Sequence, residues 1–198
     1  MKTMVFIDFQ NFNINMQEYY KKNTQFIKPR ISYSKFSKEL SNNVHLDNIN
    51  LIKTYLFGYK PCNELMALTK YSSFYKWLNG MKNKPYIEVI EGLQVIRPIN
   101  KSVAIDINDS STYVTEEKGT DVNIAVNMIS KAYTNAYDVA ILVSGDTDYV
   151  PVIKQLHNIG KTVILATFPT QNIAKYEGLY DQHIKIYDAL LQKCFAEP

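Results

Sequence analysis

The sequence predicts an α/β fold with a mostly parallel central sheet, and three observations carry that prediction. Short apolar runs alternate with amphipathic stretches at helical spacing, the signature of βαβ units. The alternation is clearest late in the chain, where helical patterns at 119–133 and 149–160 enclose an apolar run at 138–144 and lead into another at 161–168. Acids follow the apolar runs directly, at the strand ends where open parallel sheets place their ligands.

Taken in order, "MVFIDF" reads as a buried strand: Val5, Phe6 and Ile7 favour extended backbone, and the run stops at Asp8. Residues 34–41 read as a short helix and 49–58 as the next strand, closed by Gly58. Over 63–80, Leu65, Leu68, Tyr75 and Leu78 recur at helical spacing, with Asn63 as N-cap and Gly80 as the C-terminal stop. "YIEVIEG", "LQVIRPI", "VAIDI" and "TYVTEE" are strand-like, and the last two flank "NDSS", which predicts a small polar hairpin. In the 149–160 helix Pro151 falls in the first turn and Gly160 follows the last. "NIAKYEGLY" reads as a short helix and "HIKIYD" as a final strand. No repeat, low-complexity tract or linker divides the chain, so one domain over 1–198 is expected.

Composition narrows the function. The chain has 198 residues, 46% hydrophobic and 21% charged, in the range of soluble globular proteins. A net charge of +3 permits a nucleic-acid partner without requiring one. The two cysteines, Cys62 and Cys194, have no Cys or His at metal-ligand spacing, which argues against a disulfide scaffold or structural zinc. No run approaches a membrane span, and Asp8 interrupts the first apolar patch too early for a signal peptide. A cytoplasmic protein with no membrane partner is the expectation; a homodimer is compatible with it. Walker A, G-x-G-x-x-G and G-x-S-x-G motifs are absent.

The chemistry concentrates in the acids. Asp8 ends the first strand, and Asp146 and Asp148 lie just beyond the 138–144 strand. If those strands are neighbours, three carboxylates converge on one sheet edge. The 119–133 helix leads into the 138–144 strand, so its N-terminus and Asp121 lie at the same edge. Counting from Asp121, Ile124, Ala125, Met128 and Ala132 form one apolar face, which aims Asp121 at the sheet. Crowded carboxylates stay charged only beside a cation, and oxygen donors suit Mg²⁺ or Mn²⁺. Such an ion activates water against a phosphodiester. Ser144 and Asn11, the latter in the loop after the first strand, are candidate partners for substrate or bound water. Taken singly, the acids have plainer roles: Asp148 reads equally as an N-cap, and Asp121 as a complement to the helix dipole.

Residues 53–84 carry Lys53, Lys60, Lys70, Lys76, Lys82 and Lys84 against Glu64 alone, interleaved with Tyr55, Phe57, Tyr59, Tyr71, Phe74, Tyr75 and Trp77. Lysines for phosphates and rings for bases suit a single-stranded nucleic acid. The competing reading is a core stripe beside a solvated face.

"VFIDFQNF", "EKGTDVNIAVNMI" and "LVSGDTDYVPVIKQLHNIGKTVIL" resemble the motifs of the NYN (LabA-like) domain, a branch of the PIN-like nuclease superfamily. The second half matches in order, and "LYDQHIKIYDAL" is similar to the closing element of that family; residues 20–100 carry no diagnostic motif. The resemblance implies a Rossmann-like three-layer α/β/α fold, a Mg²⁺ or Mn²⁺ site and cleavage of RNA, single-stranded or structured. By motif position it implies Asp8, Asp121, Asp146 and Asp148 as metal ligands and catalytic acids. Asn11, Ser144 and Lys118 correspond to polar and substrate-binding neighbours. The glycine usual after the first Asp is Phe9 here. If that position needs positive φ, Phe costs on the order of 1 kcal/mol; otherwise the loop differs and the ring is free to join a base-stacking wall. The alternative function is a non-catalytic RNA-binding or adaptor module that keeps the acidic pocket. A phosphatase on a similar sheet ranks below both, because "DFQN" lacks a second acid.

Overall fold

The computed structural model describes residues 1–196, so Glu197 and Pro198 of the expected domain span lie outside the described residues. Seven strands form one sheet in the order β4-β3-β2-β1-β5-β6-β7. They span Lys2–Asp8 (β1), Asn50–Pro61 (β2), Ile87–Pro98 (β3), Tyr113–Lys118 (β4), Val139–Val143 (β5), Thr162–Thr167 (β6) and Gln182–Lys185 (β7). All neighbouring pairs are parallel except β3 with β4. The fold is therefore α/β with a mostly parallel sheet and helices on both faces, as the alternating runs predict.

Side-chain alternation assigns each face. Val5, Ile7 and Leu56 face one core with Phe12, Met16, Leu40 and Leu78. Met4, Phe6, Tyr55 and Phe57 face the other with Ile124, Met128, Ile153 and Leu156. The first core is covered by helices Phe9–Lys22 (α1), Tyr33–Asn42 (α2) and Thr69–Met81 (α4). The second is covered by Thr120–Tyr133 (α5) and Val150–Asn158 (α6). Burial of these apolar side chains, at about 25 cal/mol per Å², is the main force holding the layers together.

Several local expectations change. Residues 9–22 are helix, not a loop. Asp8 caps α1 by accepting from Asn11 N, and Phe12, Met16, Tyr19 and Tyr20 form its buried stripe. Phe9 opens that helix, and positive φ at non-glycine positions is confined, among the described residues, to Asn48, Tyr86 and Asn135. Phe9 therefore carries no positive-φ strain, and the segment after β1 is shaped to take it. The 63–80 helix divides into Asn63–Met66 (α3) and α4; Cys62 stands at the N-cap position, and Gly80 lies inside α4.

"YIEVIEG" and "LQVIRPI" are one strand, β3, and its hairpin partner is β4. "VAIDI" lies in the connecting loop instead of forming a strand. Polar side chains there satisfy the backbone locally: Thr112 Oγ1 accepts from Asp106 N at 3.0 Å, and Asp109 Oδ1 from Ser111 N at 3.0 Å. "NIAKYEGLY" forms only the 3-10 turn Ala174–Tyr176, and a last helix, Asp188–Lys193 (α7), follows β7.

The strands differ in length at their carboxyl ends. Asp8, the last residue of β1, pairs with Phe57, yet β2 continues to Pro61 and β3 to Pro98. The ends of β2 and β3, with β4, thus overhang the carboxyl edge of β1 and β5.

Candidate active site

The strand order reverses between β1 and β5, where the chain has run outward to β4 and returns to the centre. A crevice outside the carboxyl ends is expected at such a switch point. Here Asp8, Gln10, Asn11, Ile14, Glu117, Thr120, Asp121 and Asp146 line a cleft of about 290 Å³. The register puts Ile7 opposite Val143, so Asp8 and the Ser144–Asp146 turn leave adjacent strands side by side.

Asp8 is buried, with 5% exposure. Its Oδ1 accepts from Asn11 N at 3.0 Å, and its Oδ2 accepts from Ser144 Oγ at 3.0 Å, with Tyr149 OH at 3.3 Å. Burial pushes its carboxyl up to about 6, against those hydrogen bonds; the nearby Asp121 charge adds to the rise. Tyr149 OH donates to Asp121 Oδ1 at 2.7 Å and so stands between the two carboxylates. Burial first, then the Asp8 charge, holds the Tyr149 phenol well above its ordinary value.

Asp146 lines the cleft and also serves as a cap. Its Oδ1 accepts from Asp148 N at 3.0 Å, closing the 3-10 turn Thr147–Tyr149, and Tyr176 OH donates to its carbonyl. The capping role that the sequence suggests for Asp148 therefore belongs to Asp146, because β5 ends at Val143 and the turn begins two residues earlier. Asp148 is exposed and lines a separate shallow depression that shares Asp121 with the cleft. Lys118 is exposed, pairs with Glu116 and is not part of the cleft lining.

Asn11 and Ser144 act as brackets within the site. Asn11 Oδ1 accepts from Gly145 N at 3.2 Å and from Gln171 Nε2 at 2.9 Å, and Phe168 N donates to Gln171 Oε1 at 2.9 Å. A Cβ at Gly145 would collide with the Gln171 amide, so glycine admits this bracket. Ser144 Oγ accepts from Asp146 N at 3.2 Å while donating to Asp8.

Glu117 belongs to the cleft, although sequence reasoning does not single it out. It descends from the overhanging β4, opposite Gln94 of β3. Thr120 Oγ1 donates to its Oε1, whereas its Oε2 is buried with no hydrogen-bond partner. Burial pushes this carboxyl up to about 7, reinforced by the charges of Asp8 and Asp121. Gly92 permits the arrangement: a Cβ there would meet the Lys118 carbonyl oxygen at 2.6 Å and the Thr120 hydroxyl. Gly119, at φ +81°, turns β4 into α5. The sequence signal for Glu117 is the "EEKGTD" spacing, four residues before Asp121, but only strand pairing shows that it faces inward.

The donor set fits a hard divalent cation by chemistry: four carboxylates, one with an oxygen that lacks a partner. Among the described residues no three His, Cys, Asp or Glu side chains form a ready metal cage. No helix among the described residues is long and apolar enough to cross a membrane.

A crystal structure of a protein of unknown function from Vibrio parahaemolyticus shares the fold at TM-score 0.52 and 20% identity, covering 94% of this chain and 93% of that one. A search of curated proteins gave no match. The family profile described as NYN domain matches residues 2–184. With that match over most of its length, the chain belongs to the NYN domain family of the PIN-like nuclease superfamily.

Proposed function

We propose that this chain is a ribonuclease that hydrolyses RNA phosphodiester bonds with Mg²⁺ or Mn²⁺. The observation that carries the reading is the convergence of Asp8, Glu117, Asp121 and Asp146 on one cleft at the topological switch point. Asp8, Asp121 and Asp146 would hold the ion, and the unpartnered Glu117 Oε2 is a further oxygen for it. Bound there, such an ion supplies a Lewis acid for the phosphate and an acidified water. The chain's own residues set the stage. Ser144 and Asn11 N fix the Asp8 carboxylate, and Tyr149 holds Asp121 with its proton. Asn11, held by Gly145 and Gln171, fixes the spacing between the two strand ends. Asp148, which lines the second depression beyond Asp121, would meet water or substrate entering from that side. Lys118 would have to leave Glu116 to meet a phosphate.

The test is a cleavage assay on RNA, DNA and free nucleotides with Mg²⁺ or Mn²⁺ titrated from zero. The expected result is divalent-dependent cutting of RNA that Asp146→Asn reduces at least about 100-fold. Cutting that survives chelation, or an unimpaired Asp146→Asn, would overturn it. RNA binding without turnover at every metal concentration would favour the adaptor reading.

A further inference from the structure

An acidic cleft repels the polyanion it is proposed to cut, so the substrate needs an attractive surface nearby. The lysine- and aromatic-rich stretch 53–84 supplies one, and the structure divides its residues. Tyr55 and Phe57 enter the core beneath α5. Phe74, Trp77 and Phe9, the residue directly after Asp8, pack against the edge of the first core and stay half-buried, and half-buried Tyr59 joins them through Phe74. Ring centroids lie 4.7 Å apart for Tyr59–Phe74, 5.4 Å for Phe9–Phe74 and 5.0 Å for Phe9–Trp77.

Tyr59 lies on the overhanging part of β2, opposite Gly92, two residues past the level of Asp8. Its strand partner Gly92 lies against Lys118 and Thr120, the residues that follow Glu117, which sets Tyr59 beside the cleft. The lysines divide as well. Lys53 pairs with Glu88 at 3.0 Å and Lys82 with Glu91 at 2.8 Å. Lys60, next to Tyr59, and Lys70, 5.3 Å over the Tyr71 ring at the start of α4, are exposed and have no carboxylate partner among the described residues.

We propose that Phe9, Tyr59, Phe74 and Trp77, flanked by Lys60 and Lys70, form a stacking subsite for unpaired bases of a nucleic acid strand whose backbone crosses the acidic cleft. The inference rests on the nuclease reading of that cleft and extends it to the substrate class. Bases offer a π-face to the rings, and the two lysines neutralise phosphates that the carboxylates would otherwise repel. A duplex keeps its bases stacked on one another and cannot use the wall.

Trp77 is the only tryptophan of the chain, so its emission reports on the wall itself. The whole protein is titrated, with divalent ions chelated, against a labelled RNA strand of about 12 nucleotides and against its blunt duplex. Tryptophan emission and label anisotropy are recorded together. The expected result is binding of the strand with quenching of Trp77, and duplex binding at least about tenfold weaker without quenching. The double variant Lys60→Glu, Lys70→Glu, both at exposed positions, is expected to weaken strand binding at least about tenfold at low salt. Its circular dichroism melt should match that of the parent.

Strand binding that leaves Trp77 emission unchanged, equal affinity for the duplex, or undiminished binding by the well-folded double variant would overturn the subsite. The two readings fail separately. Quenching by a strand that is never cut with Mg²⁺ or Mn²⁺ removes the nuclease and keeps the subsite. Cutting with a silent Trp77 does the reverse.

Discussion

The two ends of the sheet carry two very different cavities. At the amino-terminal ends of β2 and β3, Val44, Ile49, Leu51, Tyr86 and Ile87, with Ser34, Lys38 and Ser41 of α2, line a space of about 590 Å³. The acid cleft at the carboxyl ends is half that size, about 290 Å³. The larger space is mostly apolar and holds no acid, whereas the smaller gathers four. Size and acidity therefore point to opposite ends of the sheet. The carboxyl end concentrates chemistry because strand ends and helix N-termini meet there, and free N–H groups at those termini hold carboxylates in place. Asn11 N on Asp8 and Asp148 N on Asp146 are two instances.

The sharpest way to break this contrast is to remove charge at the cleft without changing shape. Asp8→Asn is expected to lower divalent-dependent RNA cleavage at least about 100-fold, measured in single-turnover assays. Asp148→Asn, outside the cleft, should lose far less; an equal loss would extend the site across Asp121 into the second depression.

Gly92→Ala tests the overhang. The added methyl meets the Lys118 carbonyl, which cannot give way as a flexible side chain can. A loss of about 1–3 kcal/mol in denaturant unfolding is expected, together with reduced cleavage as Glu117 is displaced. Unchanged stability would show that the 118–120 turn is free to move off β3.

The pH dependence separates the two ends in the same molecule. The folded protein holds protons on Asp8 up to about 6 and on Glu117 up to about 7, above the ordinary values of 3.8 and 4.5. Between those values these two groups bind more protons in the folded state than in the unfolded chain, so their contribution to stability is greatest at the acid side and falls as pH rises from about 4 to about 7. The contribution of Asp8 is on the order of 2–3 kcal/mol. Unfolding free energies measured across that range with chelator present should decline. Asp8→Asn should flatten the curve, and Mg²⁺ or Mn²⁺ should stabilise more at pH 8 than at pH 5. An Asp8→Asn curve that runs parallel to that of the parent would contradict the raised Asp8 carboxyl.

The smallest effect belongs to the amino end. Tyr86 is 76% exposed and held at φ +62°. Tyr86→Gly relieves that backbone strain at little loss of burial. A thermal melt is expected to change by no more than a few degrees, upward where strain relief outweighs the added chain entropy. Cleavage should be unaffected, and a loss of cleavage would tie the larger cavity to the acid site.

The α/β architecture is legible in the residues alone. So is the placing of Asp8 and the Ser144–Asp146 turn at one sheet edge, because parallel strands with apolar interiors can place acids only at their ends; that β1 and β5 are neighbours is decided by the assembled sheet. Asp121 is readable too, since the period of Ile124, Met128 and Ala132 fixes which way the first turn of α5 faces. The helix 9–22 is hidden because Asn11, Asn13 and Asn15 disguise the stripe Phe12, Met16, Tyr19 and Tyr20. Neither capping by Asp146, nor Tyr149 between two carboxylates, nor Glu117 can be read in this way. Each depends on where a neighbouring chain segment ends in space. The decisive case is the overhang: β2 and β3 run 12 residues each while β1 runs 7 and β5 only 5. Strand composition reports burial, but how far one strand outruns its neighbour is set by register, and register is a property of the assembled sheet.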